Sequence, residues 1–524
     1  MNECSIKKVV KHKKKYDIQT KIRKVIKMKK WIFTLGILAT MCSYSQNQVS
    51  TTPNDHYDKL VNTDLSDGYP TEEEKNLYLD ELTFQQGVQS YIWALPAVNM
   101  WSLKEASEKA MGAGYNIFPV WAGRMRANTL IPTPNADVIY AMSYLDLKQD
   151  GPLVVEVPPG IQGLFDDFWQ RPIETEHNGK KWYGDVGLAG PDEGKGGNFL
   201  LLPPDYKGDI PDGYYVYRSR TYNVFVFWRS FFQDPNNLKP AVDLVKRTKI
   251  YPLGKKSSAK PMKFPDATNL KLNMLFPEDG TYFETLSRFI NAEYVDPEDM
   301  YMRGMLASIG IEKGKAFNPD SKTKELLNKA AISANKMSKV VNSARISEEG
   351  KIYKDSYAVN IFKGKSPWFQ GGETYTDVNF RAAYFTMAFS TSPGMAADMI
   401  DKGAKYPSFS KDVDGNYLNG SNTYVFHIPA NPPAKIFWSV SLYDPLTGSG
   451  LQNGQKFFSI NSMDKPEQNA DGSWDFYLGP TDPGKKNWIK TIPEKGFLLS
   501  FRLYGPMKPY FDQTWKTEDP KKIK

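Results

Sequence analysis

The spacing of hydrophobic and polar positions along this chain changes several times, and the changes divide it into regions. Over residues 82–111, Val88, Tyr91, Ile92, Leu95 and Val98 recur at intervals of three and four, which predicts a helix. Pro96 is expected to break or kink it. Beyond this helix the period shortens. Residues 138–147 and 153–157 are β-branched and aromatic runs, and 165–176, 199–202 and 214–232 continue the pattern. Pro203-Pro204 and Asp212-Gly213 punctuate them as turns. Short strands at such spacing predict a sandwich or curled sheet in preference to a βαβ fold.

The middle of the chain reads differently. Residues 238–247, 282–291, 297–309 and 323–344 carry helical spacing, the last with an approximate apolar stripe at Leu326, Ala330, Ile332 and Met337. After Trp368 the β character resumes. Residues 424–428, 436–443, 474–478 and 497–504 read as strands, and Asp471-Gly472 suits a hairpin turn. The expected fold class is mixed and β-dominated: two β-sandwich-like domains, a helical N-terminal segment, and a helical bridge between the two domains. The expected boundaries are a leader over 1–45, a polar tether over 46–80, a first domain over 81–235, the bridge over 236–350, a second β domain over 351–515 and a polar tail over 516–524. No fixed-period repeat interrupts this plan.

The leader changes how composition is read. From Met28 the order is two lysines, an apolar run from Trp31 to Met41, and Ser43-Tyr44-Ser45 before Gln46, the arrangement of a secretory signal. The run is too short to span a bilayer. Met28 alone begins a complete signal, so it is a second candidate for the functional start. Cleavage near Ser45 and a periplasmic or secreted protein are expected; lipid attachment at Cys42 ranks lower, because Met41 stands where a small residue is wanted. The formal charge of the whole chain is +8, but residues 1–45 hold 12 Lys/Arg against 2 Asp/Glu, leaving −2 for the remainder. The basic balance is therefore a property of the leader, and nucleic acid is not an expected partner. The only cysteines, Cys4 and Cys42, also fall in the leader. The remaining chain has no disulfide, thiolate metal site or thiol nucleophile. With His56, His177 and His427 its only histidines, a histidine-rich metal site is not expected. No metal ligand or cofactor is assigned, and the acidic turns, none matching an EF-hand, leave an oxygen-ligand site such as calcium open.

Two groups of motifs resemble known families. Residues 133–140 (TPNADVIY) and 151–158 (GPLVVEVP), with 197–204 and 217–222, resemble the bacterial domain of unknown function 1254. Residues 437–444 (FWSVSLYD), Asn487-Trp488 and 499–504 (LSFRLY) resemble its usual partner, domain of unknown function 1214. The resemblance runs from about residue 85 to about residue 510. It implies two β-sandwich-like domains with helices between them, and no established activity.

Candidate chemistry centres on Arg124, Arg126, Asn135 and Asp137. Arginines clamp carboxylates or phosphates, and Asn and Asp can orient a hydroxyl-bearing ligand. The same residues also suit an Asx-type turn held by an arginine, the preferred reading. Asp166 and Trp169 form a second group. Paired carboxylates serve glycoside hydrolysis, but Asp166 and Asp167 would face opposite ways on a strand. Glu174 and Glu176 share a face that reads as a solvated edge, and His177 precedes an Asn-Gly turn. Aromatic residues make up 14% of the chain; they suit strands and cores as well as sugar platforms, with Trp169 and Trp368 the least core-like by context. No catalytic residue is assigned. The leading expectation is binding of a small hydroxylated or anionic ligand, a glycan, or a protein partner. The alternatives are a carboxylate-dependent hydrolase acting on a glycan and a homo-oligomeric envelope component. No transmembrane span is expected after the leader.

Overall fold

The structure, a computed structural model, describes residues 56–63, 65 and 68–523. The expected leader and its cleavage site, and residues 46–55 of the expected tether, lie outside the described residues. The chain divides into two compact units, residues 1–79 and 80–524. In the first, His56–Asn62 is helical, and the Tyr78 hydroxyl donates to the Leu60 carbonyl at 2.6 Å. Thr71 and Glu74 bond reciprocally through side chain and backbone, a capping box that starts the helix Glu72–Met111 ten residues before its expected start at residue 82.

The second unit holds two pairs of sheets. In the first β unit one sheet runs in the order Ile139–Asp146, Asn223–Ser230, Gln162–Asp167, Asp185–Val186; the other runs Lys249–Pro252, Leu153–Val157, Gly197–Leu202, Tyr215–Arg218. Between them pack Ile139, Val155, Phe165, Phe199, Val226 and Trp228. Because side chains alternate along a strand, Val226 and Trp228 enter this core while Phe225, Phe227 and Arg229 point from the opposite face. Phe225 and Phe227 pack into a second core that includes Tyr91, Leu95, Tyr282 and Phe389.

The second β unit repeats the scheme with different strands. Leu498–Pro506 pairs with Ala434–Tyr443, which pairs with Ser459–Asn461; Ala404–Lys405 and Ser408–Phe409 complete that sheet. The facing sheet runs Trp488–Lys490, Trp474–Gly479, Tyr424–Ile428, Lys521–Lys522. Phe426, Val440, Phe476, Leu499, Phe501 and Leu503 fill the space between. By the same alternation Ser500, Arg502 and Tyr504 leave this core and face the other way. Helices Lys239–Lys246, Thr281–Ala292, Met300–Ser308 and Ser321–Val340 lie between the two β units in sequence. The two-sandwich, helix-bridged architecture read from the sequence is the one observed.

Three local expectations are corrected and one is refined. The helix Glu72–Met111 does not break at Pro96, because the flanking Ala94, Leu95, Ala97 and Val98 are all buried and packing outweighs the missing donor. Gln170 Nε2 donates to the Pro96 carbonyl at 2.6 Å. Residues after Trp368 are not uniformly β: Val378–Met387 is a helix, capped where the Asp377 side chain accepts from the Phe380 N–H at 3.0 Å. The expected helix over 323–344 ends as an α-helix at Val340 and continues as π-helix over Val341–Ile346. Asp471-Gly472 does form a turn, with Gly472 at φ +87°, but Ser459–Asn461 and Trp474–Gly479 belong to different sheets, so it is no hairpin. Among the described residues, no helix is long and apolar enough to cross a membrane.

Candidate functional site

The segment 133–137 lies where the two β units meet, and its polar groups are consumed in joining them. Asn135 Oδ1 accepts from the Asp137 N–H at 2.7 Å, the Asx turn expected from sequence, while its Nδ2 donates to the Tyr504 hydroxyl of the other unit. Asp137 is fully buried and accepts from Ser459 Oγ at 2.9 Å, from Asn461 Nδ2 at 2.9 Å and from Arg124 Nη2 at 3.2 Å. Arg124 also reaches both oxygens of Asp464, at 2.6 and 3.1 Å, donates Nε to the Ala136 carbonyl, and lies over the Phe457 ring. Its single positive charge is thus shared by two carboxylates.

The other sequence candidates are dispersed. Arg126 is partly buried, with no hydrogen-bond partner at Nε, and stands outside that network. Asp166 is buried on the strand Gln162–Asp167, where Oδ2 accepts from the Thr391 N–H at 3.1 Å and Oδ1 has no partner. Burial drives its carboxyl well above the usual range despite that N–H. Asp167 turns the other way to Arg171, at 2.7 Å, so the two neighbours diverge as the strand requires. Trp169, expected to be among the least core-like aromatics, is 5% exposed. The turn after Asp167, with Gln170 at φ +57°, folds it onto Trp93 and Phe289 at 4.3 and 5.2 Å between ring centroids. Glu174 and Glu176 are exposed, and His177 precedes the turn Asn178-Gly179, both at positive φ.

The cavity at this junction is lined by none of the candidate site residues, although Thr133, Tyr140, Tyr443, Arg502 and Tyr504 fall in the family-like motifs. It measures about 130 Å³, and its lining comes from both β units and from the segments between them. Phe227, Met387, Phe389, Met395 and Phe497 give it an apolar wall; Tyr140, Tyr384, Tyr406, Tyr443 and Tyr504 give it phenols. No Asp or Glu lines it, yet Arg229, Lys339 and Arg502 do. Lys339 is neutralised by Glu278 at 2.7 Å. The two arginines are not: among the described residues, no carboxylate lies within ion-pair distance of either. Arg502 is 5% exposed, reaches only the Thr133 and Pro134 carbonyls at 3.4 and 3.3 Å, and has no partner for Nε. Arg229 Nη2 meets the Met395 sulfur at 3.3 Å, a weak acceptor.

The phenols around the two guanidiniums are mostly spoken for. Tyr384 donates to the Ser390 carbonyl and Tyr443 to the Pro134 carbonyl, each at 2.9 Å, and Tyr504 accepts from Asn135. Tyr406 has no hydrogen-bond partner for its hydroxyl among the described residues. Burial raises its pKa, and Arg229 and Arg502 together pull it back. A smaller void of about 40 Å³ shares Arg229, Met395, Tyr406 and Tyr504 with the main cavity and is also lined by Asp185. Asp185 accepts from the Gly394 N–H at 2.7 Å. Burial pushes it up to about 7, against the pull of Ser392, that N–H and Arg229. Among the described residues, no three His, Cys, Asp or Glu side chains are grouped to hold a metal ion.

Two family models match the chain. Residues 115–252 match a protein of unknown function, DUF1254, and residues 403–508 match a protein of unknown function, DUF1214. The VPA0106 protein from Vibrio parahaemolyticus, known from a crystal structure, is 18% identical, covers 84% of this chain and 100% of its own, and superposes with a TM-score of 0.50; the likeness is one of fold. An uncharacterized protein from Burkholderia cenocepacia is 13% identical over 86% of this chain and 96% of its own, with a TM-score of 0.38. No curated protein matches the chain. Arg229 falls inside the first matched segment, and Tyr406, Tyr443, Arg502 and Tyr504 inside the second. The chain carries a DUF1254 segment followed by a DUF1214 segment, in the order its motifs indicate.

Proposed function

We propose that this protein binds a small organic acid in the cavity between its two β units. One observation carries the reading: two arginines line a mostly aromatic and aliphatic cavity that contains no carboxylate to neutralise them. Buried charges are ordinarily paired, because taking an ion out of water costs several kcal/mol unless an opposite charge replaces the lost hydration. A carboxylate would supply that charge and accept the guanidinium N–H groups in their fork geometry. The Phe and Met side chains would hold the hydrocarbon part. A neutral glycan is the poorer fit, since it offers no anion. Asp137 and Asp166, the carboxylates on which a hydrolase reading would rest, do not line this cavity. The leader pattern supports binding outside the cytoplasm, in the periplasm or beyond it.

Thermal denaturation of the purified protein with organic acids, inorganic phosphate and neutral sugars tests this. A ligand that binds only the folded state raises the melting temperature. Organic acids are expected to raise it, sugars to leave it unchanged, and the double variant Arg229→Met, Arg502→Met to abolish the rise. An unchanged melting temperature across the acids would end the proposal.

A further inference from the structure

The cavity's two arginines come from different β units and are equally unpaired, which bears on the ligand's charge and rests on the acid-binding reading above. Arg229 projects from the strand Asn223–Ser230, on the face turned away from the first sandwich core. Arg502 projects from Leu498–Pro506, on the face turned away from the second. Tyr406 stands between their fields: the Arg502 guanidinium lies 5.7 Å from its ring centroid, and Arg229 acts on the same phenol. The two cations therefore address one cavity from two walls.

While the cavity holds water, both guanidiniums can be hydrated. A ligand that fills about 130 Å³ expels that water. Each arginine then needs an anion in its place, because desolvating an ion without replacing its partner is strongly unfavourable. A monoanion would neutralise one and leave the other stranded. Asp185 does not solve this for Arg229, since it forms no ion pair with it and its own carboxyl is pushed up to about 7 by burial. Every unused polar capacity of Arg229 and Arg502 is a donor, so the complementary ligand is an acceptor at both ends. A cavity of about 150 Å³ admits a body the size of benzene, so the carbon skeleton is short.

We infer that the ligand is a short dicarboxylic acid, one carboxylate on Arg229 and the other on Arg502, with its methylene chain against Phe227, Phe389 and Met395. The arrangement requires only binding, and no bond is made or broken.

Titration calorimetry of the whole protein with succinate, monomethyl succinate and butyrate separates the cases without any variant. Succinate is expected to bind about tenfold tighter than the half-ester or more, as a second charge-assisted contact would give. Arg229→Met and Arg502→Met, each checked for native circular dichroism, should each lower succinate affinity at least to that of the half-ester for the parent. The half-ester strands one guanidinium in the parent and none in a single variant, so its affinity should hold or rise there. Equal affinity for succinate and its half-ester would overturn the dicarboxylate assignment while leaving the acid-binding reading intact. If neither succinate, its half-ester nor butyrate binds, and glutarate and pentanoate also fail, both fall together.

Discussion

Arg124 and the pair Arg229/Arg502 sit at the same junction, yet their surroundings are opposite. Arg124 holds Asp464 at 2.6 Å and Asp137 at 3.2 Å, and Asp137 in turn gathers Ser459 and Asn461, so a single charge is enclosed by partners from both β units. Arg229 and Arg502 face a void with no acid in its wall. The difference separates a fastening from the proposed receptor. A buried arginine with a complete set of partners holds two parts of the chain in register, and its removal is felt by the fold. Arg502 is buried and Arg229 partly so, both held by the rest of the fold without a carboxylate, and what they lack describes what they can receive.

The strongest test of this contrast attacks the fastening. Asp137→Ala leaves Arg124 its pair with Asp464 but takes the acceptor from the buried Ser459 and Asn461, and each buried donor left unsatisfied costs about 1–3 kcal/mol. Equilibrium denaturation should show that loss; a change below about 1 kcal/mol would remove the distinction between the two arginine sites.

Asp185 tests a carboxylate that lies near an unpaired arginine without neutralising it. Its folded pKa, about 7, lies above the ordinary 3.8, so between those values the folded state holds a proton that the unfolded chain has released. Stability is therefore expected to fall as pH rises from about 4 to about 7 and then to level off, with a slope from this group of at most about 1.4 kcal/mol per pH unit. Asp185→Asn should flatten that slope and be the more stable form at pH 8. A pH profile unchanged by the substitution would mean that Asp185 ionises normally, and so supplies Arg229 with a counter-charge.

The double variant Arg229→Met, Arg502→Met takes no partner away from any carboxylate, so its unliganded stability is expected within about 1 kcal/mol of the parent. It should instead lose the ligand's contribution, about 2.7 kcal/mol at a ligand concentration one hundred times Kd. The smallest effect belongs to an ion pair away from the junction. His427 Nδ1 meets Asp475 at 2.7 Å with both side chains about one-third exposed, so His427→Gln should cost no more than about 1 kcal/mol in the same denaturation experiment.

Local pattern revealed the fastening only in part. The turn over Asn135–Asp137 and its arginine were legible because Asn, Asp and Arg are near in sequence and their side-chain chemistry is local. Asp464, Ser459 and Asn461 were not, since they lie more than 300 residues away and nothing in their own neighbourhood points to Asp137. The strands bearing Arg229 and Arg502 were visible as apolar runs. The period of two already implied that each arginine shares a face with aromatic side chains. A guanidinium inside such a run was the available signal; what covers that face was set by tertiary packing. The helix Val378–Met387 was hidden for another reason: Phe380 and residues 382–387 are all buried, so it carries no polar stripe to mark its period.

The cavity also bears on inheritance. Arg229 belongs to the segment matched by one family and Arg502 to the segment matched by the other. Neither segment, copied or recombined alone, would transmit the pocket; each would carry one of its arginines, aimed at a neighbour no longer there, and the segments between them supply further lining. Descent of the site requires that these parts be passed on together and meet again after folding, which favours their being encoded as one gene.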